Sequence, residues 1–340
     1  MRSLLFSRLI ASGIRSRARR MGVGFSLLIG VLACAQLPYP VYGRSEVEVA
    51  FVALGDMPYG PDETAGARYR QLIHAVNQAD SEFSIHVGDI KSGSSLCSDE
   101  EFLRQRRHFD QFVKPVIYTP GDNEWTDCHR LSNGAYDPVE RLSKLRSLFF
   151  SSASSLGAQK IPLETQAELQ AEYARYVENR RWEKGGILFV TLHIVGSNNN
   201  FETRDPNAVI EFFSRDRANI VWINAAFDLA DRDNNSAIVF AFQGNPLETA
   251  SRFTSFPGYS GFRNAIAEVL LPRAERFGRP ILIVNGDTHE FRFGQPFVQA
   301  RPTLKNVYQL VVPGDQDVRA VRVVVRPTSV SPFTTSFIQP

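Results

Sequence analysis

Cysteine and histidine are both scarce in this chain, with three and six residues among 340. Three cysteines are too few to staple a fold of this length, and none is needed. Hydrophobic residues make up 43% and charged residues 22% of the chain, enough to build a full-sized core without help from staples or metals and to exclude disorder for most of it. An excess of one charge is also missing. Lysine and arginine number 38 against 36 acidic residues, much of the small surplus sits in the Arg-rich start, and no nucleic-acid surface is evident. No internal repeat or low-complexity stretch interrupts the chain, and α/β folds of this length as one unit are ordinary. An apolar run over 23–33 is too short to be read as a bilayer span.

That segment nevertheless has a recognisable setting. Arg15, Arg17, Arg19 and Arg20 precede it and small residues follow, which is the three-part layout of an export signal. Residues 1–35 are therefore expected to be an export signal and the protein to be exported, periplasmic or secreted. Two processing routes fit: cleavage after Ala35, or a loose lipobox over Val31-Leu32-Ala33-Cys34 that makes Cys34 a lipid anchor and the one contact with a membrane. The Arg19-Arg20 pair also permits twin-arginine export, although the residues after it fit poorly, and a retained membrane anchor is the bland alternative. Export makes Cys97 and Cys128 an even pair in an oxidising compartment, so a bridge between them is expected over two free thiols.

After a linker over 36–46, the pattern from 47 to 326 is that of one domain, with a cap or insertion at about 138–175 and a tail over 327–340. A β-branched strand over 47–54 stops at Gly55-Asp56, a helix over 65–76 follows, and a buried strand over 83–87 stops at Gly88-Asp89. A second helix over 98–112 leads to a strand over 115–118, followed by Gly121-Asp122. Asp56, Asp89 and Asp122 are thus spaced by 33 residues, the length of a crossover unit between parallel strands. Three acids are placed at one sheet edge, the carboxyl edge where open α/β folds bind ligands. Later, 176–183 and 187–194 read as a hairpin around Gly185-Gly186. A helix over 208–229, a strand over 237–242, a helix over 260–277 and a strand over 280–284 follow, and strands over 307–312 and 318–325 close the sheet.

Five polar clusters fall at strand ends: Gly55-Asp56, Gly88-Asp89, Gly121-Asp122-Asn123-Glu124, Gln243-Gly244-Asn245-Pro246 and Gly286-Asp287-Thr288-His289. Singly each is a common turn former. Together they bring oxygen and imidazole donors to one edge, as a pair of hard divalent cations requires.

In their order and spacing these clusters resemble the calcineurin-like metallophosphoesterase family, whose signature runs D-x-H, G-D-x-x-D, G-N-H-[DE], a later His, and G-H-x-H. The resemblance covers about 47–325 and implies an α/β fold: a β-sandwich of mixed sheets flanked by helices. Together with the export signal it implies an exported phosphoesterase that hydrolyses a small phosphorylated substrate through a hydroxide activated by two metals, with Asp56, Asp89, Asp122, Gln243, Asp287 and His289 as metal ligands and Asp89 shared between the ions. Departures from the signature are informative. Pro58 stands where the first motif has a ligating His, Asp287 replaces a terminal His, and Asn123 occupies the place of the His that acts as an acid in relatives. Tyr59 offers partial compensation at the first metal, since the purple-acid-phosphatase branch uses a tyrosine. With oxygen ligands dominant, Mg²⁺, Mn²⁺ or Ca²⁺ is favoured over Zn²⁺ or Fe.

With Asn123 in the acid's place, His193 and Glu124 are the substitutes for protonating the leaving group. Asn198, Asn199 and Asn200 are either substrate contacts or an ordinary loop. His74 and His108 are expected to be structural, while His86 and His129 sit beside the motifs as core residues or supports to the ligands. A catalytically impaired relative that binds a phosphorylated ligand or partner is the rival reading, motivated by the missing histidines.

Overall fold

Alternation within the first strand decides the layering. In β1 (Val49–Leu54), Phe51 and Ala53 face one side and Val52 and Leu54 the other, and all four are fully buried, so a layer must cover each face. A computed structural model of the protein describes residues 48–248, 256–297 and 303–340. The expected export segment, its cleavage point and Cys34 lie outside the described residues.

Two sheets result. In the first, β1 pairs in parallel with β2 (Phe83–His86), which pairs in parallel with β3 (Val116–Tyr118). The second is built around β4 (Glu164–Thr165), β5 (Arg180–Lys184), β6 (Ile187–Thr191), β7 (Ala237–Ala241), β8 (Ile281–Asn285), β9 (Arg292–Gly294) and β10 (Val307–Val311), in the order β4-β5-β6-β7-β8-β10-β9. Its centre, β6 to β8 with β10, is parallel and its edges are antiparallel. On the far side of β1 the first sheet continues antiparallel through β11 (Ala320–Val325) and β12 (Phe333–Ile338). The inner faces interlock through Phe51, Phe83 and Phe189, with ring centroids 5.0 to 5.8 Å apart.

Helices cover both outer faces. Residues Tyr69, Leu72, Ile73 and Val76 form the buried stripe of α1 (Ala67–Gln78) at helical spacing. Ser98 caps α2 (Asp99–Phe109) by accepting from the Glu101 N–H, with acids in its first turn and basic residues in its last. Asp137 caps α3 (Pro138–Phe149), which starts on proline. These three pack beneath Val52 and Leu54. The second sheet is covered by α4 (Pro206–Arg232), and by π-type turns over Arg263–Leu270 running into α5 (Leu271–Phe277).

The observed fold is thus the expected sandwich of mixed sheets flanked by helices. Two details differ from the sequence reading. Residues β10 and β11 do not close one sheet: Val311 pairs with Asn285 and Val325 with Val49, which places them in different sheets. Also, 327–340 carries β12, an edge strand whose exposed Thr and Ser residues hide its strand character.

Cys97 and Cys128 form a disulfide, with alpha carbons 5.7 Å apart and both residues fully buried. The bridge joins the loop after β2 to the loop after β3, and the Asn123 carbonyl lies against both sulfurs. Closing a loop of 31 residues is worth about 3 to 4 kcal/mol through the unfolded chain. Urea unfolding of Cys97→Ser/Cys128→Ser should show that loss, and an unchanged midpoint would refute it.

Candidate metal centre

The carboxyl ends of β1, β2 and β8 each end on an acid held in left-handed backbone: Asp56 at φ 53°, Asp89 at φ 55° and Asp287 at φ 77°, with His289 at φ 60°. Such residues persist only where their surroundings fix them, and they cluster at functional sites. Here the sandwich fixes them. Asp56 N–H donates to the Gly88 carbonyl at 3.0 Å, and Asp287 N–H donates to Asp56 Oδ1 at 3.0 Å, tying the two sheets together at this edge. Gly286 allows the approach, because a Cβ there would stand 2.1 Å from Asp56 Oδ2.

Around Asp89 the donors converge. Its Oδ2 accepts from Tyr59 Oη at 3.1 Å, Asn123 Nδ2 at 2.8 Å and Gln243 Nε2 at 3.2 Å, and its Oδ1 accepts from the Asn123 N–H at 3.2 Å. Asp287 accepts from the Asn245 N–H at 3.0 Å, and Asp122 from Ser197 Oγ at 2.6 Å. Burial pushes the Asp56 and Asp89 carboxyls well above their usual range, and repulsion among Asp56, Asp122, Glu124 and Asp287 adds to it. The same causes move Asp287 up to about 7. Lys91 is buried near Glu124 and Asp89, its Nζ donating to the Asn123 and Ser92 carbonyls at 2.6 and 2.8 Å. Carboxyls buried and crowded in this way carry a strong drive to be neutralised.

A metal fits this donor set. Among the described residues, Asp56, Asp89 and His289 each offer a ligand atom, all within 4.8 Å of one another, and the buried Oδ2 of Asp56 has no hydrogen-bond partner. His289 Nε2 lies 3.7 Å from Asp56 Oδ1 and 3.4 Å from Tyr59 Oη, so the tyrosine flagged by the sequence belongs to this group. Burial beside Asp89 pushes the Tyr59 hydroxyl up, keeping it a donor. Asp122 and Asp287 meet on the other side: a Cβ on Gly196 would stand 3.0 Å from one Oδ1 and 2.5 Å from the other.

Four expected roles need correction. Gln243 turns its nitrogen toward the carboxylates, donating to Asp89 Oδ2 and to Asp287 Oδ1 at 3.3 Å, while its oxygen accepts from the Gly196 N–H at 2.5 Å. A flipped amide would set donor against donor at Gly196, so Gln243 offers no ligand oxygen. Asn123 spends its amide on Asp89 and, at 2.9 Å, on Tyr59; it positions them and has no proton to give. Glu124 is fully buried, and its Oε1 accepts from the Asp89 and Gly121 N–H groups and from Tyr118 Oη, bracing two ligand loops from behind. His193 is also fully buried, with Nδ1 2.8 Å from Glu178 Oε1 and its ring against Trp125, so no leaving group reaches it.

Other histidines divide as follows. His86 is a core residue, its Nδ1 accepting from the Gly88 N–H and its pKa lowered by burial to about 3. His108 is buried against Tyr69, whereas His74 and His129 are exposed. The asparagines at 198–200 shape a loop through their side chains. Sequence reasoning missed Lys91 and Ser197. Lys91 had one signal, a lysine two residues after Gly88-Asp89 where no surface charge is expected.

No protein-family model matches the chain, and no curated protein matches it by sequence. Solved structures do. A dimetal phosphatase from Danio rerio is similar over 86% of this chain and 98% of its own, at 11% identity and a TM-score of 0.51. A purple acid phosphatase from yellow lupin seeds is similar over 86% of this chain at 13% identity, with a TM-score of 0.46, and the chain spans about half its length, 51%. The sandwich of mixed sheets flanked by helices is thus similar in fold to that dimetal phosphatase.

Proposed function

We propose that the chain is an exported, metal-dependent phosphoesterase acting on a small phosphorylated substrate. One observation carries the reading: Asp56, Asp89 and His289 converge at the carboxyl edge of a metallophosphoesterase fold, with a buried Asp56 oxygen left unpartnered. In the two-ion form of this reading, Asp56, Asp89 and His289 would hold one ion, and Asp122 and Asp287, together with Asp89, would hold the other. When bound, divalent ions would lower the pKa of a water and supply positive charge for the phosphoryl oxygens. The chain's own residues orient that chemistry. Tyr59, Asn123 and Gln243 hold the Asp89 carboxylate in place, and Glu124 braces the loops carrying Asp89 and Gly121. A donor set of carboxylates with one imidazole favours Mg²⁺, Mn²⁺ or Ca²⁺.

Protein stripped with chelator should lose turnover of p-nitrophenyl phosphate or bis-p-nitrophenyl phosphate and regain it with Mn²⁺, Mg²⁺ or Ca²⁺ more than with Zn²⁺. Failure to bind any of these ions and to turn over either ester would end this reading. Export is checked separately: the N-terminus recovered outside the cytoplasm should be Gln36 or a lipidated Cys34. A second reading, a ligand-binding protein without turnover, draws on the burial of Glu124 and His193, which removes both substitutes for the missing acid. Metal and phosphate binding without hydrolysis of either ester would select it.

A further inference from the structure

We propose that Ser197 contacts the substrate, its hydroxyl donating a hydrogen bond to a non-bridging oxygen of the phosphoryl group. The proposal rests on the phosphoesterase reading and names a residue of that same site.

Ser197, Asn198, Asn199 and Asn200 occupy the left-handed region consecutively, at φ 49°, 57°, 56° and 61°. A left-handed residue is strained, less so for asparagine than for serine, and such residues normally occur singly. Four in a row require a dedicated frame, and there is one. Asn199 Oδ1 accepts from the Val195 N–H at 3.2 Å and from Arg215 Nη1 at 2.5 Å, while its Nδ2 donates to the Gly261 carbonyl at 3.0 Å. Arg215, fully buried, also donates to the Asn199 carbonyl at 3.0 Å and to Glu211. Asn198 accepts from the Gly261 N–H at 2.8 Å, and Asn200 donates to Glu211 at 2.8 Å.

All three asparagine side chains therefore hold the turn, and the serine side chain does not. Ser197 is exposed, whereas Asp56, Asp89 and Asp122 are buried, and its Oγ reaches Asp122 Oδ2. The Gly196 backbone just before it lies against both Asp122 and Asp287. Ser197 thus stands on the solvent side of the Asp122/Asp287 half of the centre, while Tyr59 and His289 belong to the Asp56 half. One χ1 rotation moves its proton from Asp122 to an arriving anion, for which a neutral hydroxyl is a favourable donor.

The test reads binding of inorganic phosphate to the full mature chain saturated with Mn²⁺, by calorimetry, for wild type, Ser197→Ala and Ser197→Gly. Both variants should bind phosphate roughly ten- to a hundred-fold more weakly, the worth of one hydrogen bond to a charged group, with Mn²⁺ affinity unchanged. Ser197→Gly, which also relieves the left-handed backbone, should melt no lower than wild type and so separate hydroxyl from strain. Wild-type phosphate affinity in either variant overturns the proposal, as does a loss confined to Mn²⁺ affinity, which would make Ser197 a support for Asp122. Wild-type protein that binds no phosphate overturns it too. Phosphate binding that depends on Ser197 without ester turnover would instead sink only the phosphoesterase reading.

Discussion

Asp89→Asn is expected to remove cation binding at the centre and to lower phosphoesterase turnover by about 10²- to 10³-fold, the scale of losing one group that organises charge at a reacting centre. Two effects combine. The substitution removes a negative charge where β1, β2 and β3 deliver their acids, and it puts an amide where Oδ2 accepts from Tyr59, Asn123 and Gln243. Whichever way the new amide turns, it cannot accept on both of its ends, and a donor is left facing a donor. His289→Ala, by comparison, removes a ligand from one side only and should weaken one ion while leaving the other measurable. Metal stoichiometry and turnover of both variants against wild type decide the matter. Wild-type occupancy and rate in Asp89→Asn would show that the centre lies elsewhere.

Burial, and then repulsion from Asp122, Glu124, Asp56 and Asp287, raises the Asp89 pKa in the metal-free chain, whereas the amide of Asp89→Asn carries no charge to bury but leaves one donor facing another. A melting curve of Asp89→Asn beside the metal titration separates loss of the ligand from loss of the fold. Sites of this kind trade stability for function.

How much of this was legible in sequence depends on the range over which each feature is decided. The β-α-β-α-β run with its acids 33 residues apart was legible, because strand alternation and the Tyr69/Leu72/Ile73/Val76 stripe are local patterns. The sheet that each late strand joins was not. Val307–Val311 and Ala320–Val325 look alike as apolar runs, and only pairing with Ile281–Asn285 in one case and Val49–Leu54 in the other separates them. At the site, glycine before an acid at a strand end marked Asp56, Asp89 and Asp287. The direction of the Gln243 amide had no local signal, since the Gly196 N–H that sets it is 47 residues away. His193 misled for the same reason: it ends a strand-like segment, but Glu178 and Trp125 draw its ring inward.

Glu178→Ala is expected to lower stability by about 3 to 5 kcal/mol, the cost of leaving one partner of a buried ion pair uncompensated. Glu178 is fully buried, with Arg146 Nη2 at 2.5 Å on one oxygen, Arg146 Nε at 3.1 Å on the other, and His193 Nδ1 at 2.8 Å. Burial alone would raise its pKa, but the Arg146 guanidinium and the His193 hydrogen bond overcome that and hold it far below the usual range. A carboxyl depressed in the folded state stabilises above its unfolded pKa of about 4.3 and loses that contribution as the pH falls below it. Wild type should therefore lose stability in acid more steeply than Glu178→Gln, which keeps an acceptor for Arg146 without a titrating group. For a domain of this size the alanine variant should melt roughly 6 to 15 °C lower. The damage should also reach the site, because the His193 carbonyl accepts from Arg215 and Asn219, and Arg215 frames the turn that carries Ser197. Weakened phosphate binding in Glu178→Ala at temperatures where it remains folded is the expected sign of that link. A melting temperature within a degree or two of wild type would show that Arg146 and His193 find other partners and that the pair is dispensable.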